Sequence, residues 1–233
     1  RFTQRNTGLR HFEVRDLVEL ESRVGEADVL VVSGLWRNEL VRSASRLAFI
    51  QSISAGTDQY GLDLLRAAGI RLASAQGANE RAVAEHAMAL ILAIVRKLPT
   101  ARDNQAARHW RPMISEIPQR EDELGGKTLV IVGLGRIGSR LATIARAFDM
   151  RVVGVKRDPS RGGEAADSVV AQARMREVLP EADFVALTCP LTPETTNLFA
   201  ARAFAAMNPR ASLVNVARGA VVERPARDER WRD

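Results

Sequence analysis

Short apolar runs alternate with segments of helical period along most of the chain. Residues 27–34 (ADVLVVSG), 46–54 (RLAFIQSIS) and 69–75 (GIRLASA) are brief and apolar at their centres, which predicts strands. Residues 61–69 (GLDLLRAAG) predict a helix between the last two. The same alternation returns at 183–190 (DFVALTCP) and 211–218 (ASLVNVAR), with RMREVLPEA and ARAFAAM as helical segments around them. Strand, helix and strand in succession, with crossovers of this length, predict parallel sheets wrapped by helices.

The longest periodic segment runs from about Asn79 to Lys97. Val83, Ala87, Leu90, Ile91 and Ile94 recur at helical spacing and make one apolar face. Asn79 stands where a helix cap is expected, and Pro99 where a stop is expected. Ala84, Met88 and Val95, on the other side, are also apolar. A helix apolar on most sides is expected to be covered on most sides, between domains or between subunits. The polar, Pro-punctuated stretch 102–127 reads as an excursion before a new unit opens.

Composition narrows the function classes. The 233 residues are 46% apolar, ordinary for a globular protein. The longest unbroken apolar run, Ala87 to Val95, is too short to span a bilayer. The opening RFTQRNTGLRHF lacks the pattern of a signal peptide and begins without Met, so residues are expected to be missing before it. One cysteine, Cys189, leaves no internal disulfide and fits a reducing cytoplasm. The net charge of +6 raises nucleic acid as a partner. The basic residues are nearly all arginines scattered among acids, and aromatics are only 5%, so neither nucleic acid nor membrane is expected as a partner. No metal site is read.

The most specific chemistry lies in TLVIVGLGRIG, where Gly133, Gly135 and Gly138 fall in G-x-G-x-x-G spacing directly after an apolar strand and at the opening of a helix. Gly133 permits the tight turn, Gly135 lets backbone approach a pyrophosphate, and Gly138 allows helix against strand. The amides of Arg136 and Ile137 would face the pyrophosphate at the positive end of that helix. A glycine-rich turn that holds nothing carries the same spacing, but the strand and helix around it favour a dinucleotide. The next strand ends RVVGVKRDPS, so Lys156 and Arg157 stand where an acid would accept the ribose hydroxyls of NAD. Two cations suit the 2′-phosphate of NADP, which is favoured over NAD. Asp158, before Pro159, reads as the start of a turn.

With five stretches in order, at 52–63, 77–98, 124–155, 182–199 and 207–222, the chain resembles the D-isomer-specific 2-hydroxyacid dehydrogenases, particularly their glyoxylate/hydroxypyruvate reductase-like members. The resemblance implies an α/β fold: a Rossmann-type parallel-sheet nucleotide domain, incomplete, plus an N-terminal flavodoxin-like substrate half-domain. It places the substrate half at 1–76, the NAD(P) domain at 77–222 with the long interdomain or dimer helix, and an unrelated charged tail at 223–233. Amides around Ala55 and Gly56 in SAGTD would hold a substrate carboxylate, with Asn79 toward the substrate. Cys189, Pro190 and Thr195 in TCPLTPET, and Val216 and Ala217 in NVARG, would pass beside the cofactor. Arg218 corresponds to the catalytic arginine, which pairs with the carboxylate and stabilises the developing alkoxide.

The resemblance also implies a glutamate and a histidine beyond Arg218, acting as a general-acid pair. Neither the strand and loop that would carry that glutamate nor the later loop that would carry the histidine is read; ERPARDERWRD stands in their place, so the chain is expected to be truncated at its C-terminus. Loss of a general acid commonly costs about 10²- to 10⁴-fold. None of His11, His86 and His109 is expected to replace it. Glu85 and His86 are neighbours on one helix and do not face each other, and His86 is expected to pack near the domain junction. The function expected is hydride transfer between NAD(P)H and a small 2-keto or 2-hydroxy acid, impaired by the truncation, in a cytoplasmic homodimer. The substrate would occupy a cleft between the two domains. The alternative is a non-catalytic dinucleotide-binding sensor or corepressor-like protein.

Overall fold

The computed structural model describes residues 2–224, and most of the charged tail, 225–233, lies outside them. The chain divides into two compact units, Arg1–Gln76 and Gly77–Asp233.

The first unit holds α1 (Leu17–Arg23), β1 (Val29–Val32), β2 (Phe49–Ser52), α2 (Leu62–Ala67) and β3 (Arg71–Ala73). Asp16 starts α1 by accepting the Glu19 amide on its side chain at 2.8 Å, which satisfies one of the amides left over in a first turn. The strands are parallel in the order β1-β2-β3, with Val29 beside Phe49 and Ile50 beside Leu72. Side chains alternate across a strand. Leu30, Val32 and Ile50 therefore enter a core with Trp36, Leu40, Tyr60 and Leu65, while Val29 and Val31 point to the other face and are exposed. The three strands compare with five in a whole flavodoxin-like sheet.

The second unit opens with α3 (Glu80–Val95) and α4 (Leu98–Ala106). Then follow β4 (Thr128–Val132), α5 (Arg136–Arg146), β5 (Arg151–Lys156), β6 (Ser168–Ala171), α6 (Met175–Val178), β7 (Phe184–Leu187), α7 (Ala201–Ala206) and β8 (Ser212–Asn215). Its five strands are all parallel in the order β6-β5-β4-β7-β8. From central β4 the chain builds outward to β5 and β6, then crosses back to β7 and β8, so the strand order reverses between β4 and β7. This is a Rossmann-type sheet. Every residue of β4 and β7 is buried, because helices and loops cover both faces of a parallel sheet. One face packs Ile131, Val152 and Ala186 under α3 and α5. The other packs Val130, Val153 and Val185 with Met175, Phe199 and Phe204.

Several expectations from the sequence are corrected. The buried face of α3 is Ala84, Ala87, Met88, Ile91 and Val95, set against Leu141, Ala142 and Ala145 of α5, whereas Leu90 and Ile94 are exposed. Small alanines let the two helices approach closely, so they and not the bulkier residues mark the packed side. Asn79 precedes α3 but makes no side-chain cap hydrogen bond; its carbonyl accepts from Val83. The stop is Lys97, whose left-handed backbone (φ 49°) turns the chain, while Pro99 lies in the first turn of α4, where its missing N–H costs nothing. α4 and β6 occupy stretches in which no element was expected. His86 is exposed rather than packed. No helix among the described residues is long and apolar enough to cross a membrane.

Candidate functional site

In a sheet with all strands parallel, the residues that follow the strands gather along one edge. β4 hands on to the glycine turn, β5 to Lys156 and Arg157, β7 to Thr188–Pro190, and β8 to Val216–Arg218. The ends are tied to one another. The Gly133 amide donates to the Val155 carbonyl (2.8 Å), Thr188 to Val132 (2.9 Å), and Val216 to Leu187 (3.2 Å). The Thr188 hydroxyl donates to the Gly133 carbonyl at 2.7 Å, locking the glycine turn to the end of β7. Thr188 was not singled out in the sequence, where it is one of several threonines in a polar loop.

The three glycines have different surroundings. Gly133 has φ 104°, and a Cβ there would meet the Cys189 backbone nitrogen at 2.5 Å, so a side chain is refused twice over. A Cβ at Gly138 would meet the Gly133 carbonyl oxygen at 2.4 Å and Ile131 at 3.1 Å, which makes it the contact between α5 and β4. At Gly135 a Cβ would meet nothing within 4 Å. Open space therefore lies beside the start of α5, whose first amides, Arg136 and Ile137, have no acceptor among the described residues. Open space, free amides and the positive helix end together fit the pyrophosphate of a dinucleotide.

The Arg136 side chain is held by Glu80 from the first turn of α3, through its Nε and, at 3.2 Å, a terminal nitrogen. That hydrogen-bonded ion pair holds the Glu80 carboxyl below the usual range and raises the guanidinium. The guanidinium also lies over Gly77, where a Cβ would stand 2.9 Å from it. Exposed Asn79 precedes Glu80, and its side chain makes no hydrogen bond to a described residue.

At the end of β5, Lys156 turns its ammonium back onto the carbonyls of Arg161 and, at 3.5 Å, Gly162. Arg157 is exposed. Asp158 accepts both the amide (3.0 Å) and the hydroxyl (2.6 Å) of Ser160, as expected of a residue starting a turn, and these bonds hold its carboxyl below the usual range. After β7, Cys189 is buried in the core and burial pushes its thiol up. Pro190 is exposed, and its carbonyl accepts from the buried Thr195 hydroxyl at 2.6 Å. Thr195 also accepts the Thr192 amide at 2.7 Å, so its hydroxyl closes this loop from within.

After β8, Asn215 organises the turn that carries Arg218. Its side chain accepts the Ala217 amide and donates to the Arg218 carbonyl, both at 3.0 Å. Arg218 is exposed, with one guanidinium nitrogen 3.0 Å from the Ala217 carbonyl. The signal for Asn215 was present in NVARG, since asparagine readily bonds backbone two residues on. Gly219–Val221 then form a 3-10 turn, and the segment pairs with Phe199, burying Val221 and Val222. Of the other histidines, exposed His109 follows α4, and neither it nor His86 pairs with a carboxylate.

Ala55 and Gly56 belong to the first unit, in the bend after β2. Buried Ser52 shapes the bend by accepting the Ser54 amide at 3.1 Å. The amides of Ala55 and Gly56 donate to no described residue.

A family model described as the D-isomer specific 2-hydroxyacid dehydrogenase, NAD binding domain, matches residues 88–226. The D-3-phosphoglycerate dehydrogenase of Synechocystis sp. is 31% identical over 227 residues, covering 94% of this chain and 38% of the relative. The glyoxylate reductase of Pyrococcus furiosus is 35% identical over 214 residues, covering 89% of this chain and 63% of the relative. A D-lactate dehydrogenase from Aquifex aeolicus, crystallised with NAD and lactic acid, superposes with a TM-score of 0.80 at 28% identity over 90% of this chain and 62% of that one. The chain thus spans about two fifths of the phosphoglycerate dehydrogenase and under two thirds of the reductase. The matched residues hold the whole parallel sheet with its glycine turn and the Arg218 loop, and the chain belongs to the D-isomer specific 2-hydroxyacid dehydrogenase family.

Proposed function

We propose that the protein transfers hydride between a nicotinamide dinucleotide, NADP in preference to NAD, and a small 2-keto or 2-hydroxy acid of the glyoxylate or hydroxypyruvate kind. One observation carries the reading: the glycine turn, the basic end of β5 and Arg218 share the carboxyl edge of one parallel sheet, where α/β proteins bind ligands. The bound nicotinamide supplies or accepts the hydride. The chain's own residues do the rest. Amides of Arg136 and Ile137 hold the pyrophosphate, with Gly133, Gly135 and Gly138 making room. The backbone of Cys189, Pro190, Val216 and Ala217 flanks the cofactor, and Thr195 holds the Pro190 loop in shape. Arg218 orients the keto acid and meets the charge that grows on its oxygen. The free amides of Ala55 and Gly56 suit the substrate carboxylate, with Asn79 as a further polar contact. Residues 1–76 serve the substrate and 77–222 the cofactor.

NADP is favoured because two cations, Lys156 and Arg157, stand at the end of β5, and the adjacent Asp158 carboxylate is occupied by Ser160. A homodimer is supported by the exposed apolar residues Leu90 and Ile94 of α3 and Trp110, Met113 and Ile117 beyond α4.

The test follows the loss of NADPH absorbance with glyoxylate and with hydroxypyruvate, NADH in parallel. Turnover that falls by about 10²-fold or more in Arg218→Ala is expected. Dinucleotide bound without turnover of either acid would contradict it and favour a binding or sensor role.

A further inference from the structure

Beside the carboxyl edge, on the face that carries α6 and α7, runs an open groove of about 650 Å³. Arg157 stands at one end, Arg176 of α6 and Arg202 of α7 line its side, and Met175, Leu198 and Ala203 give it apolar walls. A second lobe continues past the same two arginines toward Ala205 and Ala206, so Arg176 and Arg202 stand where the lobes meet.

The charge in this groove is not balanced. The guanidiniums of Arg176 and Arg202 make no hydrogen bond or ion pair with a described residue, and both residues are exposed. The nearby Glu177 is taken by Arg174 at 2.6 Å. Glu194, the one carboxylate lining the first lobe, is kept ionised chiefly by its hydrogen bond to Thr192, with Arg157 contributing. It offsets one cation of three. Two guanidiniums left over beside an apolar wall suit a phosphate carried on a flat ring system. Lys156, the other cation expected to serve the cofactor, is turned into its own loop.

We propose that Arg176 and Arg202 read the 2′-phosphorylated adenosine end of NADP(H), with the apolar wall of the groove beside the base. This rests on the preference for NADP argued above, and it moves the recognition of the phosphate from Lys156 to two helices that follow β6 and β7. Lys156 instead holds the 157–163 loop in place.

The test titrates the whole chain with 2′,5′-ADP and with 5′-AMP by calorimetry, which needs no turnover. The wild type is expected to prefer 2′,5′-ADP. The double variant Arg176→Gln/Arg202→Gln is expected to lose affinity for 2′,5′-ADP by about ten-fold or more, the scale of one charge-assisted hydrogen bond, and to keep its affinity for 5′-AMP. Both side chains are exposed, and unchanged 5′-AMP binding reports that the fold is intact. A double variant that keeps the full preference, while Arg157→Ala abolishes it, would overturn the role of Arg176 and Arg202 and leave the NADP reading standing. Equal binding of the two nucleotides by the wild type would overturn the NADP reading itself, and the groove's role with it.

Discussion

Gly135 and Gly138 lie three residues apart in one motif, yet they answer to different forces. A methyl group at Gly138 would press on the Gly133 carbonyl and the Ile131 side chain, and neither can retreat from a packed strand. Gly138→Ala is therefore expected to lower stability by ~1–3 kcal/mol, the usual cost of overpacking, read as an earlier midpoint in urea. Gly135→Ala meets open space. It is expected to leave the midpoint within about 1 kcal/mol, since a helix start tolerates the change with a small loss, but to weaken dinucleotide binding by narrowing the approach to the Arg136 and Ile137 amides. Equal loss of stability in both variants would contradict the separate roles. Cys189 gives a further check. Burial raises its thiol pKa, so the folded protein holds that proton more tightly than the unfolded chain. Its contribution to stability is present below the ordinary thiol range and is lost as pH rises from that range through the raised pKa of the folded state. At neutral pH, alkylation is expected to be much slower in the native protein than in denaturant. Rapid alkylation of the native thiol would show that the Cys189 backbone does not close against Gly133 as described.

At the scale of elements, α3 separates what patterning reveals from what it hides. Its existence was plain from a 19-residue segment of helical period, but its buried side was not. Alanines, leucines and isoleucines surround the helix, so no polar stripe marks solvent, and the packed side is chosen by which residues are small enough to meet Ala142 and Ala145 of α5. Ala87→Leu, fully buried, is expected to cost ~1–3 kcal/mol. Ile94→Asp, on the exposed side, is expected to change the stability of a single chain by no more than ~0.5 kcal/mol. The reverse ranking in a denaturant series would restore the face first read from the sequence. Strands β4 and β7 were legible because parallel strands covered on both faces are nearly all apolar. β6, with only Val169, Val170 and Ala171 between polar neighbours, has too short a run to stand out. α4 was hidden because its proline suggested an ending, whereas at a first turn proline suits a beginning.

For the molecule as a whole, the candidate site was legible to the extent that its residues follow strands. Glycine spacing, the two cations after β5 and Arg218 in NVARG all sit in local signals that survive in a one-dimensional reading. The contacts that arrange them do not. Glu80 meets Arg136 from a helix more than fifty residues earlier in the chain, Thr188 clasps Gly133, and Lys156 is spent on carbonyls of its own loop. Residue types alone give no hint of those partners, because each has many equivalent neighbours in sequence. The arginines of the α6–α7 groove are hidden for the same reason: in an Arg-rich chain, only the fold shows which of them line one groove.

The most direct measurement is a titration of this chain with NADPH and NADH, followed by quenching of intrinsic tryptophan fluorescence or by calorimetry. Saturable binding with one dinucleotide per chain, tighter for NADPH and weakened in Gly135→Ala while the fold is retained, is the expected result. A folded chain that binds neither dinucleotide would contradict the assignment of the carboxyl edge of its five-stranded sheet as the cofactor site.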